Sequence, residues 1–435
     1  MISAVELDKV IGLVAAVTAG VAVFLALRRD AKFAFVVWLC VLAFVPVWIG
    51  VQATAFFPAF SLFSILVATS MLPLRIRWSS LDSILLAVPV FVLVEGFLGL
   101  TTRSGAFDLL TAWTFSYLLG RVLVHAVQTR WIYGAIAVVF TLVALLAIVE
   151  FAFAINPWLE FTANGTSQFN IWGTQQPCGS ILRAEGAFGH SIALGTSLGA
   201  AAALTLGSAF RPWLRTVMVA CMCAAAVLTF SRTGMLAIAA AVLLTCLTQR
   251  ETLSKNYRFA LGLVTVVASG LAFTFVRDVF LDSGSEASGS AEYRSALLGL
   301  VPYLNPFGLT SAYEISSTRE VSIGEFESID NAFLLFGLIY GWVPLLLVSV
   351  CLVIAVGYVL ARRATAATLA VVALIPALFT VAFITQYAGV FWFVAGLAVS
   401  TQLQANAART VRRLSPEHPE ELALPTSTRI GLPAA

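Results

Sequence analysis

The sequence predicts an all-α, polytopic integral membrane protein. Of its 435 residues 60% are hydrophobic and 11% charged, and the mean hydropathy is +0.96. Its apolar runs repeatedly approach the ~20 residues a helix needs to cross a bilayer. Basic residues collect in short clusters between those runs instead of forming one stripe, and a net charge of +3 is too small to point to a nucleic-acid partner.

Apolar length and polar breaks place candidate spans near 9–27, 32–50, 56–74, 81–100, 107–126, 131–155, 188–210, 212–229, 233–248, 259–277, 331–360, 364–383 and 387–402, giving about 12–13 transmembrane helices. The first run lacks a positively charged start and a small-residue cleavage site, and Arg28 and Arg29 follow it, so a retained span is expected and not a cleaved signal. The run 331–360 is too long for one plain span. Gly341 with Pro344 is expected to break it into a re-entrant piece at 331–342 and a full helix at 343–360, because an interior proline removes a backbone hydrogen bond.

Residues 1–413 form one polytopic domain with two long loops, 156–187 and 278–328. Loops of that length are usually functional or disordered. In the second, "DSGSEASGSAEY" (282–293) reads as flexible and "RSALLGLVPYLNPFGLTSAYEI" (294–315) as apolar enough to fold on the membrane surface. The end, 414–435, reads as a disordered cytoplasmic tail, with His418 incidental.

Cytoplasmic loops are rich in Lys and Arg. One set of alternate loops carries 18 of the 25 basic residues; the other carries Lys9, Arg103, Arg183, Arg232, Arg277, Arg294 and Arg319. The thirteen-span arrangement therefore puts the C-terminus in the cytoplasm and both long loops outside.

An arginine near hydrocarbon costs roughly 2.5–3.5 kcal/mol or more unless paired or wetted. Arg183, Arg232 in the tight turn "TFSRTGM" and Arg294 all lie on the basic-poor side. Each taken alone reads equally well as the partner of a nearby carboxylate or lipid phosphate; three together suit a phosphate or pyrophosphate group, which planar guanidinium groups bind bidentately. His190 reads as a neutral histidine hydrogen-bonded at a helix start, ahead of a proton-transfer role. Asp330 and Asn331 stand where the outer loop re-enters the membrane. Either fits a helix N-cap, and beside a cationic cavity Asp330 also fits a general base acting on a sugar hydroxyl without a metal, with Glu327 in reserve. Glu95 and Glu150, near the outer ends of two spans, admit a functional role, pairing with Arg103, or contact with interfacial water. Arg121 and His125 read as cytoplasmic-side anchors.

Five of the six cysteines fall in apolar spans and Cys178 stands alone in a polar loop, so neither a disulfide framework nor a zinc pattern follows. "NGT" (164–166) matches a glycosylation sequon that nothing else supports. There is no Walker motif, glycine-rich nucleotide loop or HExxH, so ATP-driven transport and zinc proteolysis lack their residues.

On "RAEGAFGHSIALG" (183–195), "LTFSRTGMLAIAAA" (228–241), "EYRSALLGLVPYLNPFGLT" (292–310) and "DNAFLLFGLIYG" (330–341), the chain resembles the O-antigen ligase and O-antigen polymerase (Wzy-type) superfamily of bacterial polysaccharide assembly. The resemblance runs from Arg183 to the end of the eleventh span; the N-terminal half matches only as a series of spans. It implies a GT-C-like, polytopic glycosyltransferase of the bacterial inner membrane. Its donor would be an undecaprenyl-pyrophosphate-linked glycan and its acceptor another lipid-linked glycan, without a cofactor or metal, and other polysaccharide assembly proteins would be its partners. Arg183 and Arg294 map onto the family's pyrophosphate-engaging arginines, with Arg232, His190 and Asn331 as further substrate contacts. The ligases typically carry a histidine just before the asparagine of the re-entrant motif. Here Asp330 occupies that position, as exopolysaccharide polymerases often have it, so the resemblance implies a polymerase. Ligase-type transfer to a lipid or protein remains open. So does a lipid-linked glycan flippase, although a transporter favours polar residues across the midplane and internal repeats, and this chain has its polar constellation on one side and no repeat.

Overall fold

The computed structural model describes residues 18, 20–52, 55–72, 76–162, 167–179, 181–249, 253–282, 292–315 and 321–414. Residues 1–17, with the first half of the first expected span (9–27), the sequon at 164–166, most of the stretch expected to be flexible (283–291) and the tail from 415 onward lie outside the described residues.

After a helical stretch at 20–29, the chain runs through α1 (Ala31–Phe44), α2 (Ala59–Ser70), α3 (Ser80–Leu98), α4 (Arg103–Asp108), α5 (Phe115–Ala126), α6 (Thr129–Phe153), α7 (Ser167–Trp172) and α8 (Ser191–Leu206). It continues with α9 (Pro212–Leu228), α10 (Arg232–Thr248), α11 (Lys255–Asp282), α12 (Ala332–Tyr340), α13 (Trp342–Leu360), α14 (Ala366–Leu378) and α15 (Thr385–Leu414). Among the described residues, strands are confined to three small antiparallel hairpins, β1–β2 (Gly50–Gln52, Phe56–Pro58), β3–β4 (Pro177–Cys178, Ile181–Leu182) and β5–β6 (Tyr313–Ile315, Val321–Ile323).

The protein is thus an all-α chain built for a membrane. Five helices among the described residues are long and apolar enough to cross one: Ser80–Leu98, Arg103–Ala126, Thr129–Phe153, Trp342–Leu360 and Thr385–Val411. The helices α1, α2, α8, α9, α10 and α14 are apolar but shorter. The run 188–210 illustrates why: its first residues form a 3-10 turn (Gly186–Phe188), and the helix begins only at Ser191.

Polar residues set the helix starts. The Asp30 side chain caps α1, Ser79 and Asp82 make a reciprocal capping box on α3, and Ser231, Asn331 and Thr365 cap α10, α12 and α14, each satisfying backbone donors that a helix leaves open. The long run 331–360 breaks at Gly341, where φ is +90°. A Cβ there would meet Pro306 O at 2.5 Å and the Phe307 backbone, so only glycine fits. Pro344 lies inside the first turn of α13, where a missing N–H breaks no helical bond.

The core gathers around α8, of which every residue but Ile192 is buried. Its small side chains let neighbours approach closely: Gly195 meets Gly234 of α10, where a Cβ on either would come within 2.9 Å of the other backbone. Close backbone packing through small residues is how helices associate where lipid supplies no hydrophobic drive. At one end of the bundle, Arg121 of α5 is 1% exposed and bonds Asp82 of α3 through Nε (2.6 Å) and Nη2 (2.8 Å). It also reaches Ser400 Oγ and Arg77 O, while Tyr117 donates to Asp82. That is a buried ion pair, and its hydrogen bonds join α3, α5 and α15.

Candidate functional site

The long loops gather at the opposite end. Trp48 Nε1 donates to Phe161 O, Trp158 Nε1 to Phe44 O, and the buried Gln386 amide to both Val45 O (3.0 Å) and Ala187 O (2.8 Å). These bonds tie the first long loop to the ends of α1 and α15. Thr101 Oγ1 donates to Ile339 O and Tyr340 Oη to Gly105 O (2.7 Å), and Ala332 N donates to Val381 O. Thus α4, α12 and the α14–α15 junction share that end.

Between them opens a cavity of about 380 Å³, within the size range of ligand pockets. Its walls come from the β1–β2 hairpin, α4 and the turn after it, α7, α12 and the start of α15. The polar lining is Asp108, Gln168, Thr385, Ser104 and Tyr340, among rings including Trp113 and Trp172. Three features mark it. From Leu109 to Thr114 the backbone winds as a π-helix directly after Asp108, a widened turn frequent at functional sites. The Asp108 side chain is exposed, lines the cavity and has no hydrogen bond or ion pair among the described residues. Thr385 is 9% exposed, its hydroxyl has no partner, and its φ is +46°. A β-branched residue in that region stores about 1–3 kcal/mol of strain, which persists where surrounding structure imposes it.

The expected site residues fall into two groups, around the two long loops, and none of them lines this cavity. In the first group, Arg183 ends the β3–β4 hairpin; its side chain is half-buried and Nε has no partner. Ala184 N donates to Leu228 O, which seats the Arg183 segment on the turn leading to Arg232, the exposed first residue of α10. His190 is the N-cap of α8, with Nδ1 accepting from Ile192 N (3.2 Å) and the ring edge-on to Trp172. A ring nitrogen that accepts is unprotonated, and burial, with Arg183 adding to it, pushes the His190 pKa down to about 4. His190 is therefore a neutral cap.

In the other group, the second loop packs Leu297, Leu300, Ile323 and Ile329 against Leu334 and Leu338 of α12. Arg294 stands there half-buried, its Nε also without a partner. Neighbouring Tyr293 donates to Ser328 O and packs on Phe326. Asn331, not Asp330, caps α12, its Oδ1 accepting from Leu334 N (2.9 Å). Asp330 is exposed, two residues before Ala332 in the cavity wall. No ion pair described in the structure joins Arg183 or Arg294 to a carboxylate, although Glu185 lies close enough to feel the Arg183 charge. No described contact joins Arg183 to Arg294.

Glu150 and Glu185 organise the first loop. Glu150, at the end of α6, pairs with neither Arg103 nor bulk water. It accepts from the Glu185 and Gly186 amides, Asn156 Nδ2 and Gln175 Nε2 at 2.8–3.2 Å. Glu185 is 1% exposed and accepts from Gln176 N. Burial foremost, with Glu150 adding to it against Arg183, pushes the Glu185 pKa up to about 8. A carboxyl with a folded value above its unfolded ~4.3 holds its proton more tightly in the folded loop. Its stabilising contribution is complete below the unfolded value and is lost as pH rises through about 8. Amide exchange at Glu185 and Gly186, corrected for base catalysis, should accelerate between about pH 4.3 and about 8 in the native chain and less steeply in Glu185→Gln. Equal pH profiles for the two proteins would discard this account.

Sequence reasoning missed Asp108, Gln168 and Thr385. The helical run around Asp108 reads as an ordinary span, and nothing near Thr385 signals its backbone geometry. No protein-family model, curated protein or solved structure matches the chain.

Proposed function

We propose that the protein is a polysaccharide polymerase of the O-antigen polymerase and ligase type, a GT-C-like glycosyltransferase of 12–13 spans in a bacterial inner membrane. It transfers an undecaprenyl-pyrophosphate-linked glycan to a hydroxyl of another lipid-linked repeat unit on the extracytoplasmic side, with the C-terminus cytoplasmic. The observation that carries the reading is the pair of half-buried guanidinium groups, Arg183 and Arg294, each with Nε unpartnered, one on each of the two long loops.

Arg183 and Arg294, with Arg232, hold the donor pyrophosphate and stabilise the charge that grows on it as the bond to the anomeric carbon breaks. Asp330 takes the proton of the acceptor hydroxyl, whose oxygen forms the new glycosidic bond from the face opposite the leaving group, inverting the centre. Asp330 is exposed and relieved of capping duty by Asn331, which suits a base that must meet substrate. Undecaprenyl pyrophosphate departs. Holding both glycans in this geometry supplies several kcal/mol of the barrier reduction.

The purified protein, incubated with lipid-pyrophosphate oligosaccharide in the absence of added metal, is expected to yield a ladder of products at multiples of the repeat. A single transfer to a foreign acceptor would reassign it as a ligase. No product with any acceptor would end the enzyme reading.

A further inference from the structure

The cavity holds a carboxylate that the transfer chemistry above does not use. Asp108 points no charge at a partner, Thr385 presents a buried hydroxyl with none, and Gln168 adds an amide from α7. Neither lysine nor arginine lines the cavity, so the pyrophosphate is not its occupant: Asp108 would repel it. Nor do the described residues bring three metal-ligating side chains together, which leaves a bound cation without its ligand set. A lining of one carboxylate, an amide, hydroxyls and aromatic rings suits a ligand rich in hydroxyl donors with apolar C–H faces. Carboxylate and amide oxygens accept from hydroxyls, and ring faces, which carry partial negative charge, receive the C–H groups.

We propose that this cavity is a saccharide-binding site in which Asp108 and Thr385 hold hydroxyls of the acceptor's terminal sugar, Gln168 adds a third polar contact and Trp172 packs on the ring. The assignment of that sugar to the acceptor rests on the glycan-transfer reading; the saccharide site itself does not. The π-helical turn follows directly after Asp108, and Asp108 and Thr385 line the same cavity from different helices.

Two measurements on the full chain in detergent test it. Saturation-transfer NMR with a panel of methyl glycosides of hexoses, 6-deoxyhexoses and N-acetylhexosamines should show binding of at least one. Its Kd should rise at least tenfold in Asp108→Asn and in Thr385→Val, and stay within about twofold in Thr385→Ser, which keeps the hydroxyl. Gln168→Leu, on the loop helix outside the bundle core, provides a variant that leaves the helix packing intact and should also weaken binding. Absence of signal from the whole panel to the native protein, or unchanged affinity in Asp108→Asn and Gln168→Leu, overturns the proposal. In the transfer assay, Asp108→Asn should raise the acceptor KM at least tenfold and leave the donor KM unchanged. Glycoside binding that depends on Asp108 without transfer to any acceptor would sink the polymerase reading and keep the site. Transfer at an unchanged acceptor KM in Asp108→Asn would do the reverse.

Discussion

Arg294→Lys should lower the rate of glycan transfer by about 100-fold or more, although the charge is kept. The size follows from what removing one well-placed donor from a developing anion costs, about 2.7–4 kcal/mol. A guanidinium offers a rigid fork that matches two phosphate oxygens, whereas an ammonium is a compact point charge on a flexible stem. Arg294 is half-buried on a loop pinned to α12 by Leu297 and Leu300, so its backbone is fixed before substrate arrives, and its Nε is unpartnered and open to a ligand oxygen. Arg183→Lys should lose a similar factor, because Arg183 is held the same way by the β3–β4 hairpin. Arg103→Lys, exposed at the same end of the bundle, is the control and should stay near the native rate. Initial rates at saturating lipid-linked donor decide the matter: a near-normal rate for Arg294→Lys removes that residue from the mechanism.

Arg121→Met should destabilise the protein by about 3–5 kcal/mol, the cost of removing one member of a buried pair and leaving the other charge uncompensated. Asp82 is wholly buried and receives Arg121 through two nitrogens, and the Tyr117 and Ser79 bonds that remain do not neutralise it. The double variant Arg121→Met with Asp82→Asn should recover much of the loss, since no charge is then stranded. Denaturation midpoints in micelles separate the cases. A single variant as stable as the native protein would show that water reaches the pair.

The apolar runs, the breaks between them and several helix starts were legible in the sequence, because length of apolar chain and capping chemistry are local properties. The interruption of 331–360 is the sharpest instance: Gly341 carries it, as a residue without Cβ at a crowded left-handed position. The glycines of "GAFGH" likewise kept the helix from starting before His190, which left that histidine as a neutral cap. Helix faces were not legible. In spans apolar on nearly every side, periodicity does not say which residue faces a neighbour, so the partner of Arg121, 39 positions away at Asp82, lay beyond reach.

The candidate site divides the same way. By itself the sequence placed three arginines and an Asp-Asn pair in the expected loops that carry few basic residues, since charge between apolar runs can be counted along the chain. Only the tertiary structure decided that Glu150 folds the first loop through four hydrogen bonds, that Asn331 rather than Asp330 caps α12, and that Asp108 and Thr385, 277 positions apart, line one cavity. Those relations depend on the packing of helix ends and on one widened helical turn. They are set by which backbones approach closely enough to exclude each other's side chains, which no local pattern encodes.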